Sequence, residues 1–393
     1  MKYNDLLNSV KSAAGLRLRL RLQPLYGEGE IVFPCTVAGG KYQTSKRRIP
    51  GYPESVNCTI IDSVQSQANR MEDALLADIR AGNIFLPHVV TDFSGVEGLH
   101  KPVGEITCFE APHRVFDAIL RDSVDATGKH FPFTPEGEAA IKANSRDASA
   151  LFEISPASLL FGSWDSTGVS GGLGEKYTRC VVSELVAVNV ERAERAGTRV
   201  DPLNVAASED PSKILKETKD EIWGLIAKNR KKFEKPSRLN HSSVIWPEEA
   251  KPVHGGVTCD YIQQSTTISL PALRQLGFPI TNAERSAAAQ TVLAAIALHA
   301  AALNVERGWH LRSRCDLTLD EGQGLSWEIL GSESTPTALS STVTRQLLKD
   351  SIDAAKKAGL NLRSEPIRLK PSTALAQLVI KSQEAHRSST TEA

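Results

Sequence analysis

Residues 16–22 read LRLRLRL, with leucine at 16, 18, 20 and 22 and arginine at 17, 19 and 21. Successive side chains of a strand point to opposite faces, so this stretch reads as a β-strand with a leucine face and an arginine face. The leucine face belongs against a core. For the arginine face two readings are open: carboxylates on neighbouring strands neutralise Arg17, Arg19 and Arg21, or the three form a cationic track for a phosphate backbone.

Working outward, Lys176 to Val190 is nearly continuous in Val and Leu and reads as an interior strand of the same sheet. Thr258 to Leu270 reads as a β-branched strand. Between the first two, Asp62 with Gln65 three residues on forms a capping-box pattern ahead of a helix. Val64, Ala68, Met71, Leu75 and Ile79 make its apolar stripe, and Gly82 is the C-terminal cap. Its first turns carry Ser63, Gln65, Ser66, Gln67, Asn69 and Arg70. Uncharged amides and hydroxyls both donate and accept, which suits sugar and base edges or, equally, a helix interface inside the protein.

Phe33 to Asn57 is irregular, rich in Pro and Gly around Lys46, Arg47 and Arg48, with Tyr42 and Tyr52 interleaved; it reads as a basic loop able to stack bases, or as a solvated mobile loop. Pro112 starts a helix through PHRVFDAILRDS with Arg114, Arg121 and His113 facing outward. Pro211 to Lys232 reads as a charged helix ending in a basic cluster. Ser286 to Val305 is alanine-rich and reads as a buried helix, since Gln290, Thr291, His299 and Asn304 interrupt it. The tail 382–393 is polar and reads as disordered.

The stretch from Phe161 to Arg179, FGSWDSTGVSGGLGEKYTR, holds five glycines between two apolar runs. Glycine weakens helices and strands but lets backbone N–H groups approach a ligand. Ser166, Thr167, Ser170, Lys176 and Arg179 supply donors, and Gly171 and Gly172 the close approach, so the segment reads as a phosphate-contacting loop or an ordinary surface turn.

The 393 residues are 41% hydrophobic, enough for a substantial core, and the 46 basic and 46 acidic side chains cancel, so any nucleic-acid role must come from local clustering. Six scattered cysteines without a C-x-x-C pair point to reduced thiols and a cytoplasmic setting, and the N-terminus has no apolar signal segment. Neither metal nor cofactor is expected, and no membrane partner. There is no G-x-S-x-G elbow, no H-E-x-x-H and no G-K-[ST] ending to the glycine loop. His113 and Asp165 are the candidates for acid–base chemistry, against the plainer reading of a structural His and an Asx turn.

Four blocks in order, LRLRLRLQPLYGEGEIVFP, DSVQSQANRMEDAL, APHRVFDAILRDS and LLFGSWDSTGVSGGLGEKYTR, closely resemble the backbone subunit of type I-G (formerly I-U) CRISPR effector complexes, the Cas-seven family of RAMP proteins. The resemblance implies an α+β fold: a modified RRM (ferredoxin-like) palm with large inserted thumb and finger segments. It implies a single domain over 1–382 with insertions near 34–57, 83–110 and 200–256. Lys46 to Arg48 are the candidate thumb. It further implies a non-catalytic subunit of a Cascade complex that polymerises along crRNA and presents it to target DNA. Its partners would be copies of itself, a Cas-five/Cas-six type protein, a large subunit and a helicase-nuclease. RNA contact is carried onto Arg17, Arg19, Arg21, Lys46, Arg47, Arg48, Gln65, Asn69, Arg70, Arg114, Ser166, Gly171, Gly172, Lys176 and Arg179. The alternative is a RAMP-type endoribonuclease. A guide varies in sequence, so such a protein reads backbone and shape rather than base identity.

Overall fold

The computed structural model describes residues 1–37, 40–166, 168–169, 171, 173–195, 214–217, 222–225, 253–279, 283–332 and 336–392. By contacts the chain divides into two compact units, one of 1–97, 102–191 and 257–377, the other of 98–101, 192–256 and 378–393.

The first unit is built on the arginine strand. Helix α1 (Tyr3–Ser12) leads into β1 (Gly15–Pro24), whose Leu16, Leu18, Leu20 and Leu22 are fully buried. Each such leucine stabilises the fold by about 1.5–3 kcal/mol relative to an exposed one, so this face fixes the strand's register. The sheet continues with β2 (Thr44–Arg47), β3 (Val56–Asp62), β4 (Val181–Val188), β5 (Tyr261–Ser269), β6 (Trp309–Arg312), β7 (Cys315–Leu319) and β8 (Ser326–Leu330). Across the sheet the order is β6, β7, β1, β5, β4, β3, β2, with every pairing antiparallel. Strand β8 takes over from β7 along β1, pairing Leu16 with Ile329 where β7 pairs Leu22 with Leu319.

Two long helices complete the pattern: α2 (Val64–Arg80) between β1 and β4 in sequence, and α3 (Ala283–Glu306) between β5 and the β7–β8 edge. Strand, helix, two strands, helix, strand, with the last, first, third and second strands side by side, is the ferredoxin-like arrangement, and the fold is α+β. Helix α3 is long and apolar enough for a membrane span, but 89% of its apolar window is buried, and it packs as the core helix between α2 and α4 (Ser341–Lys357).

A second sheet places Ile367–Pro371 parallel to Val89–Asp92, with Glu105–Thr107 and Ser123–Val124 at its edges. In the second unit Ile214–Glu217 and Ile222–Leu225 pair as antiparallel strands where a charged helix was expected, in keeping with the β-favouring Ile214, Ile222 and Trp223. The basic cluster beginning at Lys228 lies outside the described residues. The last helix runs Thr373–Glu392, through the tail expected to be disordered.

Three further expectations are corrected. The basic segment 44–47 is not an irregular loop but the edge strand β2, paired to β3 from Thr44 with Thr59 to Arg47 with Val56. Helix α2 is capped by Ser63, whose Oγ accepts from the Ser66 N–H at 3.3 Å, not by Asp62. Asp62 is fully buried and accepts instead from Gln67 Nε2 (2.7 Å), Arg70 Nε (3.0 Å) and Arg312 Nη2 (3.0 Å). The helix expected from Pro112 breaks into a turn at Arg114–Phe116 and a short helix at Ala118–Arg121, because Arg114 adopts a left-handed backbone with φ of 54°.

Candidate nucleic-acid interface

The open face of the sheet carries the side chains that alternate with the buried set. On β1 these are Arg17, Arg19 and Arg21; on β5 they are Tyr261, Gln263, Ser265 and Thr267; on β4 they include Val182 and Glu184. Register sets them in rows, with Arg19 opposite Ser265 and Ser265 opposite Glu184. The sequence YIQQSTTIS has polar residues at both phases, so β1 decides which phase faces water.

Carboxylates neutralise part of the arginine face. Arg17 Nε donates to Glu328 Oε2 at 2.7 Å, and Arg19 Nη2 lies 3.6 Å from Oε1 of the same carboxylate. The two guanidiniums hold the Glu328 carboxyl below its usual range, the hydrogen bond from Arg17 being the main cause. Arg21 instead lies over the Tyr261 ring, 4.2 Å from its centroid, and Arg47 of β2 approaches Glu184 at 3.7 Å. Four arginines thus face two glutamates, and the face keeps positive excess. Exposed pairs of this kind contribute at most about 1 kcal/mol, so a polyanion can displace the carboxylates cheaply.

Two concavities adjoin along this face, sharing Gln263. One, of about 320 Å³, is lined by Arg19, Arg21, Gln263, Gln323 and Glu328; the other, of about 160 Å³, by Arg47, Ile49, Glu184, Val186, Val188 and Ser265. The second has an apolar floor because segment 49–52 folds back over the sheet, packing Ile49 and Tyr52 on Cys58, Val186 and Val188. Tyr52 Oη donates to Asp260 Oδ2 at 2.7 Å, which holds that flap. Burial, aided by this bond to the carboxylate, pushes the Tyr52 phenol up to about 12. Lys46 and Arg48 are exposed beside Arg47.

Helix α2 divides its polar residues between two tasks. Gln65 and Asn69 are exposed one turn apart. Gln67 is fully buried, and its Oε1 accepts from Gln264, Ser183 and Asn304. Arg70 bridges Asp62 to the backbone carbonyl of Leu311 at 3.0 Å.

Arg114 does not face outward. It is 7% exposed, donates from Nε and Nη2 to the two oxygens of buried Glu72 at 2.7 Å each, and donates from Nη1 to the Gly162 carbonyl at 2.8 Å. Burial raises the Glu72 carboxyl to about 7 against the pull of Arg114. Arg179 braces the same junction, its Nε donating to the Phe161 carbonyl at 3.1 Å.

The glycine segment is a loop around Asp165. A side chain at Gly174 would meet the Asp165 carbonyl at 2.6 Å, and one at Gly168 would meet Asp165 Oδ1 at 2.0 Å, so these two glycines serve close packing. Asp165 is 5% exposed and its Oδ2 has no hydrogen-bond partner. Ser166 is half-buried and Gly171 exposed with φ of 59°. Thr167, Ser170 and Gly172 lie outside the described residues. Lys176 is exposed, its Nζ 5.4 Å from the Trp164 ring centroid. Trp164 was not singled out from sequence; its signal is a tryptophan inside a glycine-rich loop, where Val169 and Leu173 are exposed as well. Among the described residues no cluster of three or more His, Cys, Asp or Glu could hold a metal ion.

The fold and this face define a ferredoxin-like α+β protein with a polar, cation-rich open sheet surface. Residues 16–192 match the family described as CRISPR-associated protein GSU0053. The matched span runs from β1 through the end of β4, taking in α2, the Arg114 clamp and the glycine loop, and it supports a CRISPR-associated protein. A comparison with curated proteins gives no match.

Proposed function

We propose that this chain is the non-catalytic guide-RNA-binding backbone subunit of a type I-G CRISPR interference complex. In this reading copies polymerise along the crRNA and present it for pairing with target DNA, alongside a Cas-five/Cas-six type protein, a large subunit and a separate helicase-nuclease, in the cytoplasm. The observation that carries the reading is the open sheet face, where Arg19, Arg21 and Arg47 line adjoining concavities that also hold Gln263 and Ser265, groups that suit sugar and phosphate, with Arg17 beside them on Glu328. The family match over residues 16–192, which carry these arginines but not Gln263 or Ser265, supports a CRISPR-associated role.

The ribonuclease alternative gains no support from Asp165, which is buried and walled by Gly168 and Gly174.

The test is expression of the full chain in cells that transcribe a CRISPR array, followed by extraction of bound nucleic acid. Small RNA of uniform length is the expected product. Protein free of nucleic acid, with no affinity for added RNA at low salt, counts against the reading. Steady cleavage of added RNA, abolished by Asp165→Ala or His113→Ala, establishes the alternative.

A further inference from the structure

The glycine loop opens and closes on a two-residue antiparallel ladder in which Trp164 pairs with Lys176 and Ser163 with Tyr177. Side chains alternate across such a ladder, and burial follows the alternation. Ser163 and Tyr177 are buried, while Trp164 is 46% exposed and Lys176 is exposed. The indole and the ammonium therefore project together into solvent, with Lys176 Nζ 5.4 Å from the ring centroid.

The base of the ladder is fixed on three sides. Tyr177 packs into the core, Arg179 Nε holds the Phe161 carbonyl, and Arg114 Nη1 holds the Gly162 carbonyl. The outward pair is thus presented on a rigid mount. A solvent-facing cation–π contact contributes only about 0.5–1 kcal/mol, less than burying the indole would, so local stability does not account for an exposed tryptophan at this place.

We propose that Trp164 and Lys176 form a one-nucleotide subsite for single-stranded nucleic acid, with a base stacked on the indole and its phosphate paired to the ammonium. An aromatic ring accepts any base because every base has a π-face, and a point charge accepts any phosphate, so the subsite has no sequence preference. The inference rests on the nucleic-acid reading above and adds to it a contact outside the sheet face.

The experiment titrates the full chain against a labelled single-stranded RNA over a range of salt, with circular dichroism to show that each variant is folded. Trp164→Ala weakens binding on the order of tenfold without changing the salt slope, and Trp164→Phe retains most of the affinity. Lys176→Ala lowers the slope by about 0.7, one phosphate on a single strand. Against RNA of abasic nucleotides, Trp164→Ala has no effect, because the stacked base is already absent. Wild-type affinity in Trp164→Ala, or an equal loss on abasic RNA, overturns the subsite while leaving RNA binding by the protein intact. A change in self-association with RNA affinity unaltered makes the pair a protein contact and also overturns it. A wild-type chain that binds no RNA at any salt overturns the underlying reading instead.

Discussion

Arg114 grips Glu72 with two parallel hydrogen bonds of 2.7 Å, and its third donor holds the carbonyl of Gly162 at the entrance of the glycine loop. The left-handed backbone at Arg114 costs about 1–3 kcal/mol, and the buried pair holds it there. One side chain thereby ties helix α2 to the loop that carries Trp164.

Removing one partner leaves an uncompensated buried charge. Glu72→Ala is expected to lower stability by about 3–5 kcal/mol, measured by urea denaturation. Replacing both at once, as Glu72→Leu with Arg114→Met, is expected to cost less than Glu72→Ala alone, since no charge remains buried. If the double variant is the weaker one, the Gly162 bond rather than the ion pair is the larger contribution.

On the sheet face Glu328 competes with any polyanion for Arg17 and Arg19. Glu328→Gln is expected to tighten RNA binding at low salt, whereas Arg17→Ala with Arg19→Ala weakens it on the order of tenfold and flattens its salt slope by about 1.4, two phosphates on a single strand. Fluorescence anisotropy across a salt series reads both. Unchanged binding in the arginine variant would show that RNA does not run over β1.

The glycines of the loop separate into two kinds. Gly174→Ala drives a carbon to within 2.6 Å of the Asp165 carbonyl, while Gly171 has open space around it and a φ of 59°. Gly174→Ala is expected to cost about 1–3 kcal/mol by overpacking, and Gly171→Ala about 1–2 kcal/mol by backbone strain alone. Limited proteolysis should cut the Gly174 variant faster within the loop; equal rates would mean that the loop repacks freely around Asp165.

His299 sits fully buried, with Nε2 2.9 Å from Asp78 Oδ2 and Nδ1 2.9 Å from Thr344 Oγ1. Burial holds the imidazole below its usual range despite Asp78, and Arg345 adds to the lowering. Burial opposes ionisation of Asp78 as well, but hydrogen bonds from His299 and Asn83 and the charge of Arg345 keep its carboxyl low. Both are depressed groups, so the stability they contribute is present above the unfolded values and is lost on acidification. Below about pH 6.5 the unfolded chain takes up a proton that native His299 refuses. His299 therefore makes stability fall from about pH 7 to about pH 5, by at most about 1.4 kcal/mol per pH unit, while Glu72, raised to about 7, takes up its proton first in the native state and acts in the opposite direction over the same range. The measurement is the difference in urea stability between wild type and His299→Gln at each pH, which should move against the wild type on acidification; a difference constant across the range would show that His299 charges in the native state.

The alternation at Leu16 to Leu22, the stripe of α2 and the alanine-rich α3 were legible because each pattern repeats within a few residues and one face of each must be buried. The arginine face could be read as either neutral or cationic, and only the register of β8, which brings Glu328 opposite Arg17, shows that it is both in part. Asp62 has the sequence of a cap, yet Gln67, Arg70 and Arg312 surround it in the fold, and three charge-assisted or amide hydrogen bonds outweigh one helix cap. Arg114 reads as a surface arginine in a helix; its partner lies 42 residues earlier in the chain. Periodic patterns record which face of an element is buried, so the sequence by itself determined the strands β1, β4 and β5, the arginine face of β1 and the two long helices, but not β2 or the pairing of Ile214–Glu217 with Ile222–Leu225. Which charges meet, which arginine turns inward and which tryptophan is left in solvent depend on elements far apart in the chain, and only their packing in the tertiary structure decided them.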